Sequence, residues 1–176
     1  MKKLIQFLYI ALAFMILSAI ASIFIEIKLA LSALFFVLIA AAYTIYKKKI
    51  GQELIIAALF GIIVTSYYVY SYTASNILFG RINIFPFISW TAGLILLREI
   101  YERLKFKNKF PIISLIYISG LFLVEFLGFY ILNIRLENNY ASLLGLGIIH
   151  APAEMKLFYI FAGPVYILLT DYLKVK

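Results

Sequence analysis

The segment SGLFLVEFLGFYILNIRLENNYASLLGLGIIHAPAEMKLFYIFAGP, Ser119 to Pro164, decides how the chain is read. It sets a carboxylate, Glu125, inside an apolar run and holds the only histidine, His150. Five of the nine glycines and two of the four prolines, Pro152 and Pro164, also fall here. Between Pro111 and Leu132, Glu125 is the sole charged residue. A helix rises about 1.5 Å per residue, so about 20 residues cross a hydrocarbon core of about 30 Å. The run is long enough to cross, and it lacks the wet face that a soluble helix keeps.

The rest of the chain has the same character. Of its 176 residues 65% are hydrophobic and 14% charged, against about 25% charged in soluble domains. This composition predicts an all-α, polytopic integral membrane protein, with one transmembrane domain over residues 1–176. The absence of cysteine excludes disulfides, thiolate nucleophiles and cysteine-ligated metals. Asp171 is the only aspartate, which excludes the Asp-rich metal motifs that bind diphosphates. The net charge of +8 does not point to nucleic acid, because the cations cluster at the ends of apolar runs as topology signals do.

A six-helix bundle is expected, with spans over about 4–24, 29–46, 54–72, 84–97, 111–132 and 152–173. Met1-Lys2-Lys3 begins as a signal peptide would, and Ala19-Ile20-Ala21 resembles a cleavage site. Apolar character nevertheless runs on through Ile25 into the second run, so retention of the first span is expected. One helix from Leu4 to Tyr46 would be about 63 Å long, twice the core thickness, so the chain turns near Glu26-Ile27-Lys28. Pro86 falls in the first turn of the fourth span, where proline costs least. Arg98-Glu99 and Glu102-Arg103 read as a solvated helix end touching anionic headgroups. Ala141 to Ile149 is too apolar for a wet loop and too short to cross. It is a candidate re-entrant segment before the last helix, bringing His150 towards Glu125.

Six spans put twelve of the sixteen Lys and Arg residues on the side of the termini and four, Lys28, Arg81, Arg135 and Lys156, on the other. That bias in short loops predicts cytoplasmic N- and C-termini in a cell membrane. The polar residues that topology does not explain then collect on the non-cytoplasmic side.

Glu125 lies about 21 Å along its helix from Pro111, in the outer half of the membrane. A carboxylate left charged and unpaired there costs several kcal/mol, so it is expected to face the bundle interior. Glu125 and His150 together suggest an acid–base pair. Arg81 and Arg135 are candidate anchors for an anionic headgroup or diphosphate, with Glu154, Tyr70 and Trp90 as further ligand-binding candidates. The structural alternatives are a pair of Glu125 with either arginine, and a histidine satisfied by a backbone carbonyl. No metal site is expected, since His150 with Glu125, Glu137 or Glu154 falls short of the usual zinc sets. A Ser-His-Asp set is excluded because no G-x-S-x-G is present and Asp171 lies across the membrane from His150. The sequence names no cofactor.

Tyr68-x-Tyr70, followed by Gly80, Pro86 and Trp90, resembles the spacing in membrane carotenoid-biosynthesis hydratases of prokaryotes. The resemblance is confined to Tyr68–Trp90, the chain is markedly shorter than that family, and the family's acidic positions have no assigned counterpart here. It implies an isoprenoid substrate and carries over no residue roles. The residues support three functions: an intramembrane enzyme acting on a lipid or isoprenoid through Glu125 and His150, a small-molecule or proton-coupled transporter, or a non-catalytic membrane subunit. An enzyme working through this pair requires Glu125 and His150 within hydrogen-bond reach, directly or through one water, beside a lipid-open pocket. A carrier requires a polar path to the cytoplasmic side, where Glu53 is the candidate. Membrane lipids are the expected partners, and nucleic acid is not.

Overall fold

Long runs of Leu, Ile, Ala and Phe, broken by short polar stretches, fold into six α-helices in a computed structural model that describes residues 2–23, 25–46, 48–68, 70–73 and 76–173. Lys47, Lys174 and Lys176, which enter the orientation count, lie outside the described residues, as does Phe24 at the expected end of the first span. The helices are α1 Lys2–Ala21, α2 Ile27–Tyr46, α3 Lys48–Tyr67, α4 Ile84–Arg103, α5 Lys109–Phe126 and α6 Ala153–Tyr172. Among the described residues four stretches are long and apolar enough to cross a membrane: Ile27–Ile45, Ile84–Arg103, Lys109–Ile131 and Ala153–Tyr172. Tyr9–Ala21 and Gly51–Tyr67 are shorter apolar helical stretches. The described residues therefore form an all-α bundle whose long apolar helices support a multi-pass membrane protein.

Two expectations need correction. The third span was expected over 54–72, but α3 runs from Lys48 to Tyr67. Beyond it, Tyr68, Tyr70 and Tyr72 alternate with period two, which suits extended backbone. Tyr72 forms an antiparallel bridge with Leu136, and the amides of Glu137 and Thr73 donate to the carbonyls of Ser71 and Arg135 at 2.9 and 3.0 Å. The charged helix end expected beyond the fourth span is present, with α4 running on to Arg103 and Arg98 with Glu102 and Glu99 with Arg103 forming i,i+4 ion pairs that support these turns. Arg98 is also no solvated residue; it is 5% exposed.

The linker between α3 and α4 closes with a two-strand hairpin, β1 Leu78–Phe79 and β2 Ile82–Asn83. Gly80 sits at its turn with φ +61°, a backbone conformation that glycine adopts freely. Asn83 caps α4 by accepting from the Phe85 amide, and its side-chain NH2 donates to the Tyr70 carbonyl at 2.8 Å. One side chain thereby fixes both the helix start and the tyrosine segment.

α3 and α4 make the most extensive helix pair. Gly61 permits their approach, since a Cβ there would come within about 3.0 Å of Phe87. α5 is sparsely covered, with only Ile113 buried. The bundle has two apolar clusters: one around Ala57, Leu94, Tyr166 and Ile167, the other around Val64, Tyr70, Ile149 and Tyr159.

Candidate functional site

The second cluster is where chemistry-bearing groups gather. Tyr159 on α6 donates to the Tyr70 hydroxyl at 2.9 Å, and both rings are buried. Trp90 on α4 stacks edge-on against Tyr159 and Phe158, with centroids 5.1 and 5.3 Å away. Its indole lies near the Tyr70 hydroxyl. Tyr72 stacks beside Tyr70, and the Lys28 ammonium lies 4.8 Å over the Tyr72 ring. Lys28 is 4% exposed and pairs with Glu26 at 3.1 Å.

Glu125 approaches this cluster from α5. Its carboxylate is within electrostatic reach of Tyr70, Tyr72, Tyr117 and Tyr159. It makes no hydrogen bond or ion pair among the described residues. Tyr117 donates to the Tyr159 backbone carbonyl and lies flat against Gly163. Burial, with the Glu125 charge adding to it, holds the Tyr70 and Tyr72 hydroxyls protonated far above neutral pH.

Two residues past Glu125 the helix widens into a π turn, Leu127–Ile131, in which the Leu132 amide bonds the Leu127 carbonyl at 2.9 Å. Such turns recur at functional sites because they rotate the side chains beyond them. Here the turn carries Phe129 and Tyr130. The His150 ring stacks on Phe129 with centroids 3.8 Å apart and planes 13° from parallel, and the Arg135 guanidinium lies 4.5 Å from the same ring's centroid. Tyr130 donates to the Gly147 carbonyl at 2.9 Å, tying the loop down. The candidate re-entrant stretch contains a single 3-10 turn, Leu143–Gly145, with positive φ at Leu144, Gly145, Gly147 and Ile149. Leu144 is 88% exposed while Ile149 is fully buried.

The expected site residues thus divide. Tyr70 and Trp90 join Glu125 at the tyrosine cluster. His150 and Arg135 meet at Phe129, four residues further along the chain from Glu125, and no hydrogen bond joins His150 to Glu125. Burial pushes the His150 imidazole below its ordinary pKa, and the positive charges of Lys156 and Arg135 push in the same direction. His150 is therefore neutral at pH 7, and its Nδ1 has no hydrogen-bond partner among the described residues. Arg81 is exposed at the hairpin turn, and Glu154 is exposed in the first turn of α6, where a negative charge suits the helix dipole. Sequence reasoning missed Tyr72, Tyr159, Tyr117 and Lys28. The period-two tyrosines were the signal available for Tyr72.

At the other end of the bundle, Arg98 gathers carboxylates from three helices. It bonds Asp171 at 2.5 Å and lies 3.6 Å from Glu53 and 3.5 Å from Glu102. Tyr101 donates to the second Asp171 oxygen, and Lys109 lies 3.9 Å over the Tyr101 ring. Glu53 is fully buried. Leu94, Ala57 and Ile167 form an apolar layer between this cluster and the tyrosine site. Among the described residues, no three His, Asp or Glu side chains are arranged to hold a metal ion. Comparison of the chain with protein-family models, curated proteins and solved structures finds no match.

Proposed function

We propose that the protein is an intramembrane enzyme acting on a lipid or isoprenoid, with Glu125 as the acid–base group and the Tyr70–Tyr159 pair as the polar groups nearby. One observation carries this reading: the Glu125 carboxylate lies within electrostatic reach of buried phenol hydroxyls and forms no ion pair among the described residues. A carboxylate kept in apolar surroundings without a counter-charge is a costly arrangement, and such groups concentrate at functional sites. The Tyr70 hydroxyl, accepting from Tyr159 at 2.9 Å, keeps its own proton to donate to a substrate beside that carboxylate. The faces of Trp90, Tyr70 and Tyr72 favour positive charge developing on an apolar substrate. The sparse cover on α5 leaves a sideways route from the bilayer to Glu125.

A carrier is less well supported, because the apolar layer around Leu94 and Ile167 parts the outer site from Glu53. The proposed topology has six spans, cytoplasmic termini and the tyrosine site in the outer half of a cell membrane. The test is incubation of purified protein in bilayers of a prokaryotic total lipid extract, followed by mass spectrometry of the lipids. A species formed by the native chain and absent with Glu125→Gln is expected. Identical lipid profiles from two equally folded proteins would overturn the reading.

A further inference from the structure

The groups around Phe129 serve a purpose that the Glu125 reading does not cover. Arg135 and Lys156 come from different segments, yet both act electrostatically on the His150 imidazole. Arg135 spends one contact on the Phe129 carbonyl at 3.4 Å, and Lys156 one on the Ser142 carbonyl at 3.4 Å. Neither makes an ion pair with a carboxylate among the described residues. The nearby acid Glu137 instead accepts from the Ser71 hydroxyl at 2.6 Å. The cluster therefore carries surplus positive charge, and it contains a buried ring nitrogen, His150 Nδ1, with nothing to bond. A buried polar atom without a partner is rare and calls for a ligand or a water.

We propose that Arg135, His150 and Lys156 receive an anionic phosphate group. A guanidinium matches two phosphate oxygens at once, and an ammonium and an imidazole add single donors. The surface around the site suits a phosphate borne on a lipid: Leu144 and Leu146 are 88% and 60% exposed, and Tyr130 is half exposed. A headgroup on Phe129 stands about 6 Å, one helical turn, from the level of Glu125. The first carbons of its tail then lie against the carboxyl group. That last step rests on the acid–base reading above; the phosphate site itself does not.

The sole histidine makes the test specific. Protein labelled with 13C and 15N at histidine gives one set of ring signals, which is followed in a neutral detergent. Geranylgeranyl phosphate is expected to shift the His150 signals saturably, while geranylgeraniol, the same chain without phosphate, leaves them in place. Arg135→Gln and Lys156→Gln together are expected to abolish the shift with thermal unfolding unchanged. A saturable shift with inorganic phosphate alone upholds phosphate recognition and assigns it to the free ion; a shift only with the prenyl phosphate upholds it and assigns it to a lipid. No shift with either, or an equal shift with the alcohol, overturns the proposal. Glu125→Gln separates the two readings, because it is expected to leave the phosphate-induced shift intact. Glu125-dependent chemistry without a phosphate shift sinks the phosphate site alone, and a phosphate shift without Glu125-dependent chemistry sinks the enzyme reading alone.

Discussion

Tyr159 on α6 hydrogen-bonds Tyr70, in the segment that leaves α3, at 2.9 Å between two buried hydroxyls. The bond ties the last helix to a linker 89 positions earlier in the chain. Tyr70→Phe leaves the Tyr159 hydroxyl buried without its acceptor, at a cost of about 1–3 kcal/mol. Replacing both hydroxyls is expected to cost less than the sum of the two single changes, because the second change removes the stranded group. Unfolding curves of the two single variants and the double variant, in one detergent, measure this coupling. Simple additivity would show that the hydroxyls do not act as a pair.

Gly163 faces Tyr117 so closely that a Cβ would come within 2.5 Å of the ring. Gly163→Ala is therefore expected to force α5 away from α6 and destabilise the protein by about 1–3 kcal/mol, as overpacking does. Tyr117→Ala in the same chain is expected to recover part of that loss. A thermal midpoint unchanged by Gly163→Ala would contradict the packing.

How much of this was legible in the sequence varied by element. The long apolar helices were, because a run such as Pro111–Leu132 with one charge admits no other solvent. The end of α3 was not, because apolar length cannot distinguish a helix from an extended strip, and the i,i+2 tyrosines carried the distinction. Glu125 stood out as a lone charge. Tyr70 was among the candidates, but Tyr117, about two turns earlier on the same helix, and Tyr159, from the last helix, did not stand out, because aromatics are common at membrane surfaces. The burial of Arg98 was also hidden: the sequence shows its i,i+4 partner Glu102 but not Glu53 and Asp171 on α3 and α6.

That hub makes a stability prediction. Arg98 is a cation within 4 Å of fully buried Glu53. Arg98→Leu takes that cation from the buried carboxylate, and breaking a buried pair from one side costs about 3–5 kcal/mol. Arg98→Leu with Glu53→Leu is expected to be the more stable of the two variants, because no buried charge is left alone. Asp171 is 42% exposed and solvent screens it, so Asp171→Asn is expected to have a smaller effect than Arg98→Leu. Denaturant midpoints in detergent order the three, and Asp171→Asn as the most damaging would refute the assignment.

The proposed orientation can be read with single cysteines, since the chain has none of its own. With cytoplasmic termini, Asn139→Cys in the α5–α6 loop is expected to react with a membrane-impermeant maleimide added to intact cells. Lys107→Cys between α4 and α5 is expected to react only after permeabilisation. The reverse pattern would invert the topology.

His150 sets the pH response of the outer loops. Its pKa in the folded protein is lowered, by burial first and then by Lys156 and Arg135, while the unfolded chain has the ordinary value of about 6.5. Below that value the unfolded state binds more protons, so stability is full above about pH 6.5 and is lost as pH falls through the folded pKa. His150→Gln is expected to remove this loss and flatten the profile of thermal midpoint against pH just below 6.5. Arg135→Gln, by removing one repelling charge, is expected to raise the folded pKa and narrow the window. Profiles of the native chain and of His150→Gln that coincide between about pH 7 and pH 5 would refute the shift.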